Sequence, residues 1–184
     1  MKTLVHCLLI LCCFACASSK TASTTTEEDN AFESISKNEP FEIESSWAQP
    51  QVTSAFAQLG DFLPTGSTVG NINIVGNSNY LQINDSIVKA FLPFYGERRQ
   101  GSAYRSDKMG IEFEGVPQDF KTNIGKKDSY EIRFKIKDKN YSSESYMVYV
   151  QVFPNLSGSI NINSSHRSSI TYRGRANIIE NDEN

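Results

Sequence analysis

No cysteine follows position 16. Cys7, Cys12, Cys13 and Cys16 all lie in the leading segment, which excludes a disulfide staple, a thiolate metal site and a catalytic thiol from the rest of the chain. Histidine is nearly as scarce, since His6 lies in the same segment and only His166 remains beyond it. Neither sign of charge dominates. A net charge of −3 over 184 residues argues against general affinity for nucleic acid or anionic membrane surfaces. The longest mostly apolar run, Leu4 to Ala15, falls short of the roughly 20 residues a helix needs to cross a bilayer. With no clustered nucleophile, base or metal ligands, the chain is expected to be no enzyme and to use no metal or cofactor.

The leading segment has the form of an export signal, Met1-Lys-Thr followed by the apolar run. Its end reads in two ways. Phe14-Ala15-Cys16 resembles a lipobox in which Cys16 becomes the acylated N-terminus, and Ala15-Cys16-Ala17 fits ordinary signal cleavage. Lipidation gives Cys16 a use that nothing else in the chain supplies. This reading assigns 1–15 to a signal peptide and 16–39 to a Ser/Thr/Glu-rich tether, with a short helix beginning near Thr26-Glu-Glu-Asp. Residues 40–176 form the domain, and 177–184 form an acidic, disordered tail. The expected address is an outer-membrane lipoprotein facing the periplasm or the cell surface, with a soluble periplasmic or secreted protein as the alternative.

From position 40 onward the dominant signal is two-residue alternation. Tyr130, Ile132, Phe134 and Ile136 alternate with Glu131, Arg133, Lys135 and Lys137. Phe41–Trp47, Val69–Val75, Tyr80–Asn84, Ile87–Leu92, Gly110–Gly115, Tyr146–Phe153, Ser159–Asn163 and Ser168–Arg173 also read as strands, with turn residues about every ten positions. Pro117–Lys127 reads as a loop. The expected fold is all-β: an antiparallel meander of eight or nine strands in a lipocalin-like β-barrel, with a two-sheet β-sandwich as the alternative.

Three motifs fall in order: Leu92-Pro-Phe-Tyr-Gly96, Gly110-Ile-Glu-Phe-Glu-Gly115 and Arg167-Ser-Ser-Ile-Thr-Tyr172-Arg-Gly174. Together they resemble the family known as domain of unknown function 4251, over about residues 40–175. The two aromatics of the first motif are exchanged relative to the usual order. The resemblance implies an exported, often lipidated envelope protein of Gram-negative bacteria with an all-β domain. It implies no activity.

The candidate sites are non-catalytic. Phe91, Phe113, Tyr130, Phe134, Tyr146 and Tyr172 are expected to share the dry face, where they either fill the interior or line a small apolar pocket. Arg167 is expected at the barrel end, bonded to loop carbonyls or to a carboxylate such as Glu112 or Glu114. The loop carrying Arg98, Arg99, Arg105 and Lys108 is a candidate for holding an anion. Met147, Tyr149 and Phe153 fall on the wet face of their strand, where a loop, the N-terminal helix or a partner must cover them. Asp138–Glu144 has calcium-like oxygen spacing but lacks the glycine and the terminal glutamate of such a loop, and reads as a polar hairpin. Ser34-Ile-Ser-Lys37 has a Ser-x-x-Lys spacing without its companion motifs and carries no chemistry.

Two functions follow. One is an anchored binding module with a small apolar or amphipathic ligand in the barrel. The other is an interaction protein with a solid core that docks an envelope partner through its outer face.

Overall fold

A computed structural model describes residues 22–58, 60–100 and 110–179. The signal segment, Cys16, Arg105, Lys108 and residues 180–184 lie outside the described residues.

The chain opens with helix α1 (Ala22–Ser36). Strands β1 (Phe41–Pro50), β2 (Ile72–Asn73), β3 (Tyr80–Asn84), β4 (Ile87–Leu92) and β5 (Ile111–Gly115) follow, with the short helix α2 (Ser54–Ala57) between β1 and β2. Then come β6 (Gln118–Ile124), β7 (Tyr130–Lys137), β8 (Ser145–Val152), β9 (Ser157–Ser164) and β10 (Ile170–Ile178). All ten strands form one antiparallel sheet in the order β5-β4-β3-β1-β10-β9-β8-β7-β6, with β2 beside β1. The sheet curls into a half-barrel. It is a single sheet, so the sandwich alternative falls away.

Chain order explains the curl. β1 pairs with β10 along nearly its whole length, from Phe41↔Ile178 to Pro50↔Ile170, which joins the first strand to the last as in an up-and-down barrel. The two edges of the sheet, β5 and β6, follow one another with only Val116 and Pro117 between them. They act as two parts of one bent strand: the first part pairs with β4, the second with β7. Proline has no N–H for a ladder, so the strand breaks where it changes partner. The barrel stays open at that seam.

Alternation sets the core. In β7 the burial pattern places Tyr130, Ile132, Phe134 and Ile136 inward, as their periodicity predicts, and Arg133, Lys135 and Lys137 outward. Ile160, Ile162, Ile170, Tyr172, Val148 and Val150 complete the concave face from neighbouring strands. One close approach fixes a glycine. A Cβ on Gly174 would lie 1.8 Å from the Glu44 carbonyl oxygen and 2.6 Å from Ser45 Cα, beside the irregularity in β1 between Ser45 and Trp47. Only a residue without a side chain fits there.

Four expectations change. Residues 117–127 contain a strand, β6, whose seven residues are all exposed, so neither face carried an apolar pattern to reveal it. The 69–75 strand shrinks to Ile72–Asn73. β10 runs on to Ile178, into the stretch read as a tail, because β1 offers it a full ladder. The N-terminal helix starts earlier than expected and docks: Ile35 is fully buried, with Ala31 and Phe32 packed against the same core. Arg175 Nη2 donates to Glu28 Oε1 at 2.6 Å, and the Tyr130 hydroxyl donates to Asn38 Oδ1 at 2.5 Å, which ties this end of the chain to the sheet.

Candidate functional site

The three sequence motifs, far apart in the chain, converge at the end of the half-barrel opposite α1. Arg167 lies at their centre, with its side chain 1% exposed. Its Nε donates to Glu144 Oε1 at 2.8 Å and its Nη2 to Glu144 Oε2 at 3.2 Å, a two-pronged match of planar fork to planar carboxylate. Nη1 donates to the Gly110 carbonyl at 2.8 Å, which holds the start of β5. The guanidinium lies 5.2 Å from the centroid of the Phe94 ring, so the first motif supplies a π-face to the third. The Tyr172 hydroxyl donates to the Pro93 carbonyl at 2.8 Å, a second tie between the same motifs. Gly96, with φ of 150°, passes so close to Ser168 that an added Cβ would lie 2.5 Å from its Oγ.

Glu144 is fully buried and takes two more side-chain contacts. Ser164 Oγ donates to Oε1 at 2.7 Å, and Arg98 Nη2 donates to Oε2 at 2.7 Å. Burial pushes the Glu144 carboxyl up, but the Ser164 hydroxyl, Arg167 and Arg98 outweigh it and hold the group below the usual carboxylate range. Asp138 completes the cluster. Its Oδ1 accepts the backbone N–H groups of Asn140 and Tyr141, each at 2.7 Å, and its Oδ2 accepts the Tyr146 hydroxyl at 2.5 Å. Oδ2 also lies 3.8 Å from Arg167 Nη2. Burial raises the Tyr146 and Tyr172 phenols well above their ordinary range, so both remain neutral donors. Two carboxylates face two guanidiniums, and the oxygens of both acids are taken up by donors from the protein itself. It acts as a lock.

Arg167 therefore closes the barrel end through a loop carbonyl, that of Gly110, and the carboxylate of Glu144. Glu112 and Glu114 reach the exposed Lys139 Nζ, at 3.3 and 3.0 Å. The hairpin Asp138–Glu144, read as merely polar, supplies both buried acids. A turn sequence gives no sign that its first and last carboxylates face inward, because their partners lie 8 and 23 residues on, at Tyr146 and Arg167. The anion loop also changes role. Arg98 pairs with Glu144 and lies 4.8 Å from the centroid of the Tyr141 ring, so its charge is engaged within the protein. Arg99 is exposed, with Nη2 at 3.4 Å from Gln51 Oε1.

Of the six aromatics expected on the dry face, five lie there. Phe113 packs against Phe134 at 6.1 Å and against Tyr146 at 5.9 Å between ring centroids, and Tyr130 and Tyr172 are buried beside them. Phe91 is the exception, 42% exposed and directed outward. Val88, Ala90 and Leu92 take the inward positions of β4, so Phe91 shares a face with Lys89, the parity that could have placed it.

Among the described residues, grooves lie on the outer face. One, of about 730 Å³, runs between residues 114–118 and the outer sides of β7 and β8, past Lys135, Lys137 and Met147. Another, of about 340 Å³, crosses β7, β8 and β9 around Tyr149. Met147 and Phe153 are half-buried, whereas Tyr149 is 39% exposed with the Arg133 guanidinium 5.2 Å from its ring centroid. Among the described residues no group of three or more His, Cys, Asp and Glu could hold a metal ion, and no helix is long and apolar enough to cross a membrane.

Fold and cluster together define a class: an all-β domain on a curled antiparallel meander, capped by a helix at one end and locked by a buried arginine at the other. The sequence model of the family described as domain of unknown function (DUF4251) matches residues 23–176, and the chain belongs to that family. A crystal structure of a DUF4251 family protein from Bacteroides eggerthii DSM 20697 shares the fold, with a TM-score of 0.54 and 14% identity over 84% of this chain and 89% of that one. No curated protein matches the chain.

Proposed function

We propose that the protein is an exported, lipid-anchored recognition domain without catalytic activity, and that it acts through its outer face. The observation that carries this reading is the filling of the concave side: Phe113, Phe134, Tyr146 and Tyr172 are buried and pack into one core with the aliphatic residues. Bulky side chains that occupy a small barrel leave its outside as the surface for partners. Native mass spectrometry of protein taken from its own host tests this, with the expected mass that of the acylated chain alone. A stoichiometric small molecule, released on denaturation, would overturn it. The anchor is tested separately by Cys16→Ser, which should move the protein from the membrane to the soluble fraction. Unchanged partitioning removes the anchor.

One observation favours a small apolar ligand inside. At the open seam Val116, Phe120 and Ile124 are 72%, 36% and 60% exposed, and Phe120 stacks on the buried Phe134 at 6.0 Å. The same mass measurement decides between the two readings.

A further inference from the structure

We propose that the groove around Tyr149 on the outer face of β7–β9 binds a neutral oligosaccharide. This rests on the outer-face reading above and names a ligand class for it. Three features of the groove converge on a hydroxyl-rich, uncharged ligand.

The first is the ring. Tyr149 sits mid-strand and is 39% exposed, with the Arg133 guanidinium 5.2 Å from its ring centroid, and the part of the ring left open to solvent suits the apolar C–H face of a sugar.

The second is a set of amides fixed in advance. Glu131 accepts from Gln151 Nε2 at 3.2 Å and from Asn123 Nδ2 at 2.9 Å, and Gln151 Nε2 also donates to Ser129 Oγ at 3.0 Å. With both amides oriented through their nitrogens, each has its carbonyl oxygen to offer as an acceptor. Asn161 is fixed similarly, donating to Thr171 Oγ1 at 2.8 Å and accepting from Asn163 Nδ2 at 2.8 Å. Groups ordered before the ligand arrives lose little further entropy on binding.

The third is the charge. The groove's charged residues are Glu131 and Arg133, one of each sign, which favours neither an anion nor a cation. The larger groove, lined by Lys135, Lys137, Lys139, Glu114 and Asp138, is far more charged, and the aromatic in its lining, Tyr146, is buried.

The test is a titration of the isotope-labelled full mature chain, followed by backbone and side-chain amide NMR. The probes are malto-, cello-, laminari-, xylo- and manno-hexaose, with inorganic phosphate for comparison. At least one sugar should give saturable shifts at Asn123, Tyr149, Gln151 and Asn161. Tyr149→Ala should weaken that binding about tenfold or more, whereas Tyr149→Phe, which keeps the ring, should stay within about threefold. Gln151→Ala gives a second, independent loss. The proposal is overturned by three results: no saturable shift with any sugar up to ~10 mM, equal shifts with phosphate, or sugar shifts that survive Tyr149→Ala. Sugar shifts centred on Phe113, Phe134 and Tyr146 would overturn the outer-face reading itself. Silence at every position would remove the saccharide and leave that reading standing.

Discussion

At the end of the half-barrel where β1 begins, the core is closed by Ile35, Ala31 and Phe32 of α1, and its ion pairs, Arg175–Glu28 and Lys37–Glu33, lie outside in solvent. At the other end, the buried charged residues among those described, Asp138, Glu144 and Arg167, do the closing from within. The two solutions obey different physics. Apolar closure is forgiving, because one methylene more or less changes the energy by an amount that scales with area. A buried charge cluster is all or nothing: complete, it offsets its own desolvation, and with one member removed it leaves an unpaired charge out of water. That contrast explains why the three family motifs gather at the arginine end, where geometry has little latitude.

The largest effect should follow Arg167→Ala, which takes from the buried Glu144 its two-pronged cation, leaving it Arg98 and the Ser164 hydroxyl, and should cost about 3–5 kcal/mol of stability. The urea midpoint measures it, and Arg167→Lys should rescue little because an ammonium cannot reproduce the two-pronged contact. A loss below about 1 kcal/mol would show that the lock contributes nothing. Ile35→Ala at the other end should cost about 2–4 kcal/mol by leaving a cavity under the helix, with no change in the pH dependence. If that variant became acid-sensitive, the two ends would be energetically one unit.

Acid should separate the ends in a milder way. The Glu144 carboxyl is held below its ordinary value of 4.5, so its contribution is complete above that pH and is lost as the pH falls through the lowered folded value. Hydrogen exchange should then show the amides of Glu97, Ser165 and Ser168 losing protection before those of Lys37 and Asn38. Simultaneous loss would contradict the comparison. The smallest effect belongs to Arg175→Ala, which removes the half-exposed pair with Glu28 and should cost less than about 1 kcal/mol. A larger value in thermal unfolding would mean that α1 is held by charge and not by Ile35.

Most of the strands were legible because inward and outward positions alternate in the chain itself. β7 is the clearest case, and even its solvent face can be read residue by residue. β6 was not legible, since an edge strand exposed on both faces carries no pattern. The candidate site was legible in part. Arg167 stood out through its motif, whereas Glu144 lay in an ordinary-looking turn. Arg98 read as part of a loop for holding an anion, and only the fold shows that it bridges antiparallel to Arg167 and delivers its charge to Glu144.

By itself the sequence determined the all-β class, the meander order and the confinement of cysteine to the leading segment. These follow from local alternation, turn residues and composition, each read within a few positions. Only the tertiary structure decided that β5 and β6 form a broken seam, that α1 seals one end and that a turn's two acids meet a distant arginine at the other. It also decided that Tyr149 stands among oriented amides. Those facts depend on which residues curvature brings together, and pairings between residues 20 or more positions apart leave no trace in a periodic pattern.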